Sequence, residues 1–246
     1  MDRMLYVAMT GAKQTMLAQA ANTNNLANAN TTGFRADFAA FRSMPVFGPG
    51  HPSRAYSMTE RPGTDFEAGP INATGRNLDV AIRDKGFLAV QGVDGTEGYT
   101  RSGYLRVSDG GLLTTASGLP VIGDGGPISI PPASDIQIAS DGTVSILPEG
   151  AEVGNEEVVA RIKLVNPDET QLFKGLDGLI RQKNGEAAPA DAQVRVVTGS
   201  LEGSNVNISE ALVNMIDLAR HYEMQVKMMN SADKNAESTS QLMRLS

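Results

Sequence analysis

Residues able to do chemistry are few in this chain. Among 246 residues there are two histidines and no cysteine. His51 lies in a Pro/Gly-rich loop and His221 in a C-terminal helical stretch. Neither stands in a His-x-x-x-His spacing, and a lone helical histidine more often serves as a surface or seam residue than as a ligand. Asp65 with Glu67 and the pair Glu156-Glu157 could in principle share acid–base work. Exposed acids are expected, however, where the net charge is −7. Gly123-Asp124-Gly125-Gly126-Pro127 is glycine-rich but lacks the Lys-Ser/Thr and following helix of a phosphate loop, so it reads as a turn. No Gly-x-Ser-x-Gly elbow accompanies either histidine. Without cysteine, disulfides, thiol catalysis and thiolate metal sites are removed together. The residues indicate no catalytic site, no metal and no cofactor.

The acidic balance, with no Lys/Arg run to offset it, argues against a nucleic-acid surface. No stretch approaches the roughly 20 apolar residues of a membrane span. The apolar run near the N-terminus, Met4 to Met9, is too short for a cleaved signal peptide. The expectation is a cytosolic chain, or one exported without a cleaved signal.

With chemistry so sparse, the patterning of the two ends carries the reading. From Ile208 to Met243 apolar residues alternate at spacings of three and four. One series is Ile208, Met215, Tyr222, Met229, Ala236, Met243; the interleaved one is Leu212, Ala219, Val226, Asp233, Ser240. A seven-residue repeat over about five heptads is coiled-coil patterning. At ~1.5 Å per residue the helix is a rod of roughly 50 Å, too long to bury its seam on a small domain of its own. Asn207, with Glu210 three residues on, forms a helix N-cap signature. At the other end Leu5, Met9, Ala12, Met16, Thr23 and Leu26 fall on one helical stripe, interrupted by Gln19. This helix is expected to run from Leu5 to Leu26 or Asn28 and to stop in an Asn/Thr-rich stretch, with Gly33 supplying a positive φ. Nine of the eleven methionines lie in these two arms. Methionine repacks easily, which suits contacts that must fit in more than one way.

Between the arms the chain changes character. Residues 36–75 are punctuated by proline and glycine and read as an extended connector with short strands. From 76 to 204 short apolar runs follow one another, at Leu78–Ile82, Phe87–Val90, Tyr104–Val107, Leu112–Thr115, Ile128–Ile130, Ile136–Ile138 and Val144–Leu147. Asp-Gly and Asn-Gly pairs between and beyond them supply the positive φ of hairpin turns. Val158–Val165 alternates as one half-exposed strand, Gln182 to Ala192 reads as an exposed loop, and Val194–Val197 reads as the last strand. The fold class is therefore mainly β with long terminal α-helices. An antiparallel β domain (76–204) is inserted between N- and C-terminal coiled-coil segments (1–35 with 205–246).

Three motifs in order resemble a known family, the bacterial flagellar axial proteins of rod and hook. The first is Asn24-Asn25-Leu26-Ala27-Asn28 followed by Thr32-Gly33-Phe34-Arg35. The second is Gly75-Arg76-Asn77-Leu78-Asp79-Val80-Ala81-Ile82, then Gly86-Phe87 and Tyr99-Thr100-Arg101-Ser102-Gly103. The third is Leu201-Glu202-Gly203-Ser204-Asn205-Val206-Asn207 with Met215-Ile216, Arg220, Tyr222-Glu223 and Asp233. The Met1-Asp2 start, Leu88-Ala89-Val90-Gln91 and Gly126-Pro127-Ile128-Ser129-Ile130-Pro131 resemble the proximal-rod branch, with the distal rod as near neighbour. The length leaves no room for the extra β domains of hook proteins.

The resemblance implies a structural subunit exported by the flagellum's own apparatus. It would polymerise with itself and with other rod subunits into a helical tube across the periplasm, transmitting torque towards the hook. The residues expected at subunit contacts are then Leu5, Met9, Met16, Asn25, Leu26 and Asn28 in the N-terminal arm. In the C-terminal arm they are Asn205, Ile208, Leu212, Met215, Ala219, Tyr222, Val226 and Met229. From the residues alone two other readings stay open: a β-domain glycan binder or adhesin on coiled-coil stalks, and a soluble clamp built on the helix pair.

Overall fold

The computed structural model of the protein describes residues 3–38, 40–45, 55–60, 63–150 and 154–244. His51 and the prolines at 49 and 52 lie outside the described residues. The chain divides into two compact units. One comprises Met1–Ala29, Asp37–Gly63 and Val206–Ser246; the other comprises Asn30–Ala36 and Thr64–Asn205.

The first unit is built on two helices, α1 (Arg3–Ala27) and α2 (Ile208–Arg244). The start of α2 is capped as its sequence predicts: Asn207 Oδ1 accepts from the backbone N–H of Ser209 (3.1 Å) and Glu210 (3.3 Å). This satisfies donors that the first helical turn leaves open. The end of α1 is set by its asparagines. Asn28 Nδ2 donates to Asn24 O, and Asn25 exchanges two bonds with the backbone of Asp37, at 2.9 and 3.0 Å. Side-chain amides thus take over from the helical ladder and turn the chain back. Gly33 is not this helix's cap. Its φ of +69° occurs six residues beyond Ala27, and a Cβ there would stand 2.3 Å from Ser102 N.

α1 and α2 pack antiparallel. Asn22 Nδ2 donates to Ala211 O at 2.7 Å, and Gly11 faces the Gln225 side chain. The α1 surface that is buried is made of small residues, Ala8, Gly11, Ala12, Thr15 and Ala18. They repeat at alternating three and four and allow close approach of the two axes. On α2, Ala211 and Ala232 are buried, with Met215, Leu218, Gln225 and Met229 half-buried between them at the same spacing. Beyond Ala232 the helix overhangs the start of α1, and every residue from Asp233 to Gln241 is exposed. Ala40–Pro45 and Ala55–Glu60 form an antiparallel hairpin in this unit, and its second strand lies along α1.

The second unit is antiparallel β. A five-stranded sheet has the order Leu164–Val165, Phe87–Gln91, Glu97–Thr100, Ile180–Gln182, Leu172–Lys174. A three-stranded sheet joins Ala133–Ile138, Thr143–Pro148 and Glu157–Arg161. The incoming and outgoing segments run side by side: Ile71–Ala73 pairs with Ser200–Glu202, and Val80–Arg83 with Arg195–Thr198. Val80, Leu88, Val90, Leu105, Leu113, Val121 and Val144 form the centre of the main core, all fully buried. The strand expected over Val158–Val165 is broken in two. Glu157–Arg161 pairs with Thr143–Ile146, whereas Leu164–Val165 pairs with Phe87–Leu88 in the other sheet. Buried Ile162 marks the change of sheet. Val194–Val197 is not the last strand, since Ser200–Glu202 follows it. Ile128 and Ile130 are buried, but the segment forms no strand beyond a bridge from exposed Ser129 to Leu112.

The segment from Gln182 to Ala192 is not wholly exposed. Ala188 is buried, and its N–H donates to the Tyr99 hydroxyl at 2.6 Å. Burial pushes the Tyr99 phenol up from 10.0 to about 12, against the bond from Ala188. A group whose pKa is raised by folding contributes stability that is whole below its unfolded pKa and is lost as pH rises through the folded one. Stability is therefore expected to fall between pH 10 and about 12, and Tyr99→Phe should flatten that fall. Urea midpoints across this range compare the two proteins, and an equally steep decline in Tyr99→Phe would show the phenol is not responsible.

Candidate assembly surface and its buried anchor

The three sequence motifs meet at one carboxylate. The strand Ser200–Glu202 alternates, with Ser200 and Glu202 inward and Leu201 half-exposed. Glu202 thus enters the interior. Its Oε1 accepts from Arg35 Nη2 at 2.5 Å and from Gly69 N at 3.0 Å, and its Oε2 accepts from Arg101 Nη1 at 2.9 Å. The side chains of Arg35, Glu202 and Arg101 are 1 %, 1 % and 3 % exposed, so bulk water does not screen them. Arg101 also donates to Asp84 O at 2.7 Å and stacks over the Phe87 ring, its centroid 5.3 Å away. Burial lowers the Arg101 pKa, and Glu202 acts against that shift.

Two guanidinium groups face one carboxylate. Among the described residues Arg35 Nε and Nη1 and Arg101 Nε have no hydrogen-bond partner. Around this centre the backbone segments are tied to one another. Gly33 N donates to Glu202 O at 2.8 Å, and Ala36 N donates to Asn205 Oδ1 at 2.8 Å. Asn205 Nδ2 reaches Asp65 O and Glu67 O, both at 3.2 Å. Lys174 donates to Arg35 O at 2.8 Å and sits 4.0 Å from the Phe34 ring centroid. Gly103 admits Val80 O where a Cβ would lie 1.6 Å away. Residues 30–36 therefore belong with the β unit, although their sequence continues directly from α1.

The residues expected at subunit contacts divide into two groups. Leu5 (39 %), Met9 (53 %), Met16 (57 %), Ile208 (44 %), Leu212 (46 %) and Tyr222 (36 %) are exposed. Met215, Ala219, Val226, Met229 and Leu26 are half-buried. The stripe Leu5–Met9–Met16 does not face α2, because the small-residue stripe takes that place. Asn25, Asn28 and Asn205 all hydrogen-bond within the chain. Further apolar side chains lie open on the helices, Tyr6 and Leu17 on α1 and Val213, Ile216, Met224 and Met228 on α2. Arg35, Arg101 and Glu202 stand inside the quoted motifs but were not singled out. The available signal was a charged residue set among small and aromatic ones, in Gly33-Phe34-Arg35 and Leu201-Glu202-Gly203.

Two helices with an apolar outer face, and a β unit rooted on a buried ion cluster, define a class of helix-ended structural protein. Three family models match in chain order. The flagella basal body rod protein model covers residues 5–35, the flagellar hook protein FlgE/F/G D1 domain covers 81–146, and the flagellar basal body rod FlgEFG protein C-terminal model covers 197–242. The chain is 44 % identical over 252 residues to the flagellar basal-body rod protein FlgF of Escherichia coli (strain K12), spanning 100 % of both. It is 43 % identical to FlgF of Salmonella typhimurium, again over 100 % of both. To the rod protein FlgG of Buchnera aphidicola subsp. Acyrthosiphon pisum it is 31 % identical, over 97 % of this chain and 98 % of that one. The chain belongs to the flagellar basal-body rod protein family and is a structural rod subunit, nearer to FlgF than to FlgG.

Removing one partner from a buried ion pair typically costs about 3–5 kcal/mol, because the other charge is left uncompensated. Glu202→Gln should destabilise the β unit by about that much, since two guanidinium groups lose their counter-charge. Arg35→Met should cost less, because Glu202 keeps Arg101. Denaturant unfolding measures both, and a Glu202→Gln protein as stable as wild type would show the cluster is dispensable.

Proposed function

We propose that the chain is a subunit of the proximal rod and that α1 and α2 pack against the corresponding helices of neighbouring copies and of other rod proteins. In this reading the helices form a coiled-coil inner layer of a helical tube that crosses the periplasm, with the β units outside it. The subunit reaches that place through the flagellum's own export apparatus, without a cleaved signal, and passes torque from motor to hook. Nucleic acid and membrane insertion play no part; no helix among the described residues is long and apolar enough to cross a membrane. The supporting observation is the division of the helix surfaces. On α1 small residues make the contact inside the chain, and on both helices large apolar side chains such as Leu5, Met9, Met16, Leu212, Ile216 and Met224 are left exposed. Exposed large apolar side chains gathered on two helices mark an interaction site.

Met215 is half-buried, so a charge there would also disturb the α1–α2 contact. Leu212 and Met16 are more exposed and separate assembly from folding. Leu212→Asp and Met16→Asp should each be made and exported, and should unfold within ~0.5 kcal/mol of wild type, as surface changes do. Each should leave cells without hooks, because burying an unpaired carboxylate in a repeated dry contact costs several kcal/mol. Normal swimming in both variants would remove the helices' outer face from the assembly contact.

A further inference from the structure

The β unit repeats one five-residue turn, over 92–96, 108–112, 115–119, 139–143 and 175–179. In each the fourth residue is a glycine with φ between +76° and +85°. Its N–H donates to the first residue's carbonyl at 2.8–3.1 Å, and the first residue's N–H donates to the fifth residue's carbonyl at 2.8–2.9 Å. The chain has five Asp-Gly pairs, and the turns place them in two ways. Asp94, Asp141 and Asp177 take the third position, so the glycine after each is the fourth. Asp109 takes the second position of 108–112. Asp124 is likewise first of the two residues that join Ile122–Gly123 to Gly126–Pro127.

That one-residue difference decides what both reactive groups are doing. At the third position the following glycine N–H is committed across the turn: Gly95 to Gly92 O, Gly142 to Ala139 O and Gly178 to Gly175 O. The carboxylates are committed too. Asp94 Oδ1 accepts from Thr96 N at 3.1 Å, Asp141 Oδ1 from Thr143 N at 3.1 Å and Asp177 Oδ1 from Leu179 N at 3.2 Å. All three are held below the usual carboxyl range, Asp94 first by the Thr96 hydroxyl, Asp141 first by the Thr143 N–H and Asp177 first by Arg181. At Asp109 and Asp124 neither restraint exists. Among the described residues Gly110 and Gly125 donate no backbone hydrogen bond, and neither carboxylate accepts one. Both pairs are exposed. A Cβ at Gly125 would meet nothing within 4 Å, and one at Gly110 only Ser108 Oγ at 3.9 Å, so both backbones are open to approach.

We propose that Asp109 and Asp124 are the sites at which the folded chain converts spontaneously to isoaspartate, and that the turn protects Asp94, Asp141 and Asp177. The glycine nitrogen attacks Cγ of the neutral carboxyl: the N–Cγ bond forms, the Cγ–OH bond breaks, and water leaves with the amide proton passing to solvent. Water then opens the succinimide. Addition at Cγ restores aspartate, and addition at the α-carbonyl gives isoaspartate, with no net change in mass. A glycine N–H held by a carbonyl keeps its proton from solvent, and a carboxylate held by an N–H stays ionised and fixed. At the three protected sites both bonds must open first, which makes reaction there depend on local opening of the turn. Each isoaspartate lengthens the backbone of a tight turn by one carbon. The inference is independent of the rod reading, since it concerns only the β unit.

The test ages the full-length protein for several weeks at mildly acidic pH, once folded and once in urea. Electron-transfer fragmentation then assigns isoaspartate residue by residue. All five sites share the Asp-Gly pair, so in urea they should react at similar rates. In the folded protein Asp109 and Asp124 should carry at least severalfold more isoaspartate than Asp94, Asp141 or Asp177. Gly125→Ala, for which the backbone has room, should cut the product at Asp124 severalfold and leave Asp109 unchanged. Urea unfolding of this variant alongside wild type shows that the fold is kept. Equal yields at all five sites of the folded protein would overturn the proposal, as would the same ranking in urea. So would an unreacted Asp109 and Asp124, or a Gly125→Ala protein that forms as much isoaspartate at Asp124 as wild type.

Discussion

The structure depends on one carboxylate in a place without water. Glu202 sits between Arg35 and Arg101, and each of the three comes from a different part of the chain. A charge buried this deeply is tolerable only when it is paired and hydrogen-bonded. That requirement forces the segment after α1, the strand end near 101 and the segment before α2 into register. The bonds from Gly33, Gly69 and Asn205 follow from that register. An excess of one positive charge, with guanidinium N–H groups left over, makes the cluster demanding as well as specific. A neutral core could slip by a residue without penalty of this size.

The helical unit solves a different problem. Two packed helices bury only one face of each against the other. Here the internal contact goes to alanine, glycine and threonine on α1, which hide little area but let the helices come close. Leu5, Met9, Met16 and Leu17 on α1, and Met224 and Met228 on α2, stay outside. Met9, Met16, Met224 and Met228 among them are unbranched and can fit more than one partner surface. The overhang of α2 beyond Ala232 carries the same logic further, since nothing in α1 extends far enough to cover it.

Placing the chain among basal-body rod proteins gives these features a common purpose. Two short segments join the helices to the β unit along the chain. Residues 30–36 and 202–205 are those segments, and they are bonded into the β unit. Arg101 of the same cluster also holds the Asp84 carbonyl.

The sequence by itself determined the elements whose cause is local. The heptads after Ile208, the Asn207 cap, the asparagine-rich stop near Ala27 and the Asp-Gly turns each follow from spacing or from a side chain acting on nearby backbone. Three ordered motifs were enough for the family. Only the tertiary structure decided which helix face meets which. Stripes of small and of large residues share the same period, and the choice between them lies in how closely two axes can approach. It also decided that Val158–Val165 divides between two sheets, because strand exchange is set by partners far away in sequence. Gly33 showed the limit most clearly. Its positive φ was legible, but its reason, the backbone of Arg101 and Ser102 pressing from some seventy residues away, was not. The Arg35–Glu202–Arg101 cluster was hidden for the same cause: Arg35 and Glu202 are 167 positions apart, and only folding removes the water between them.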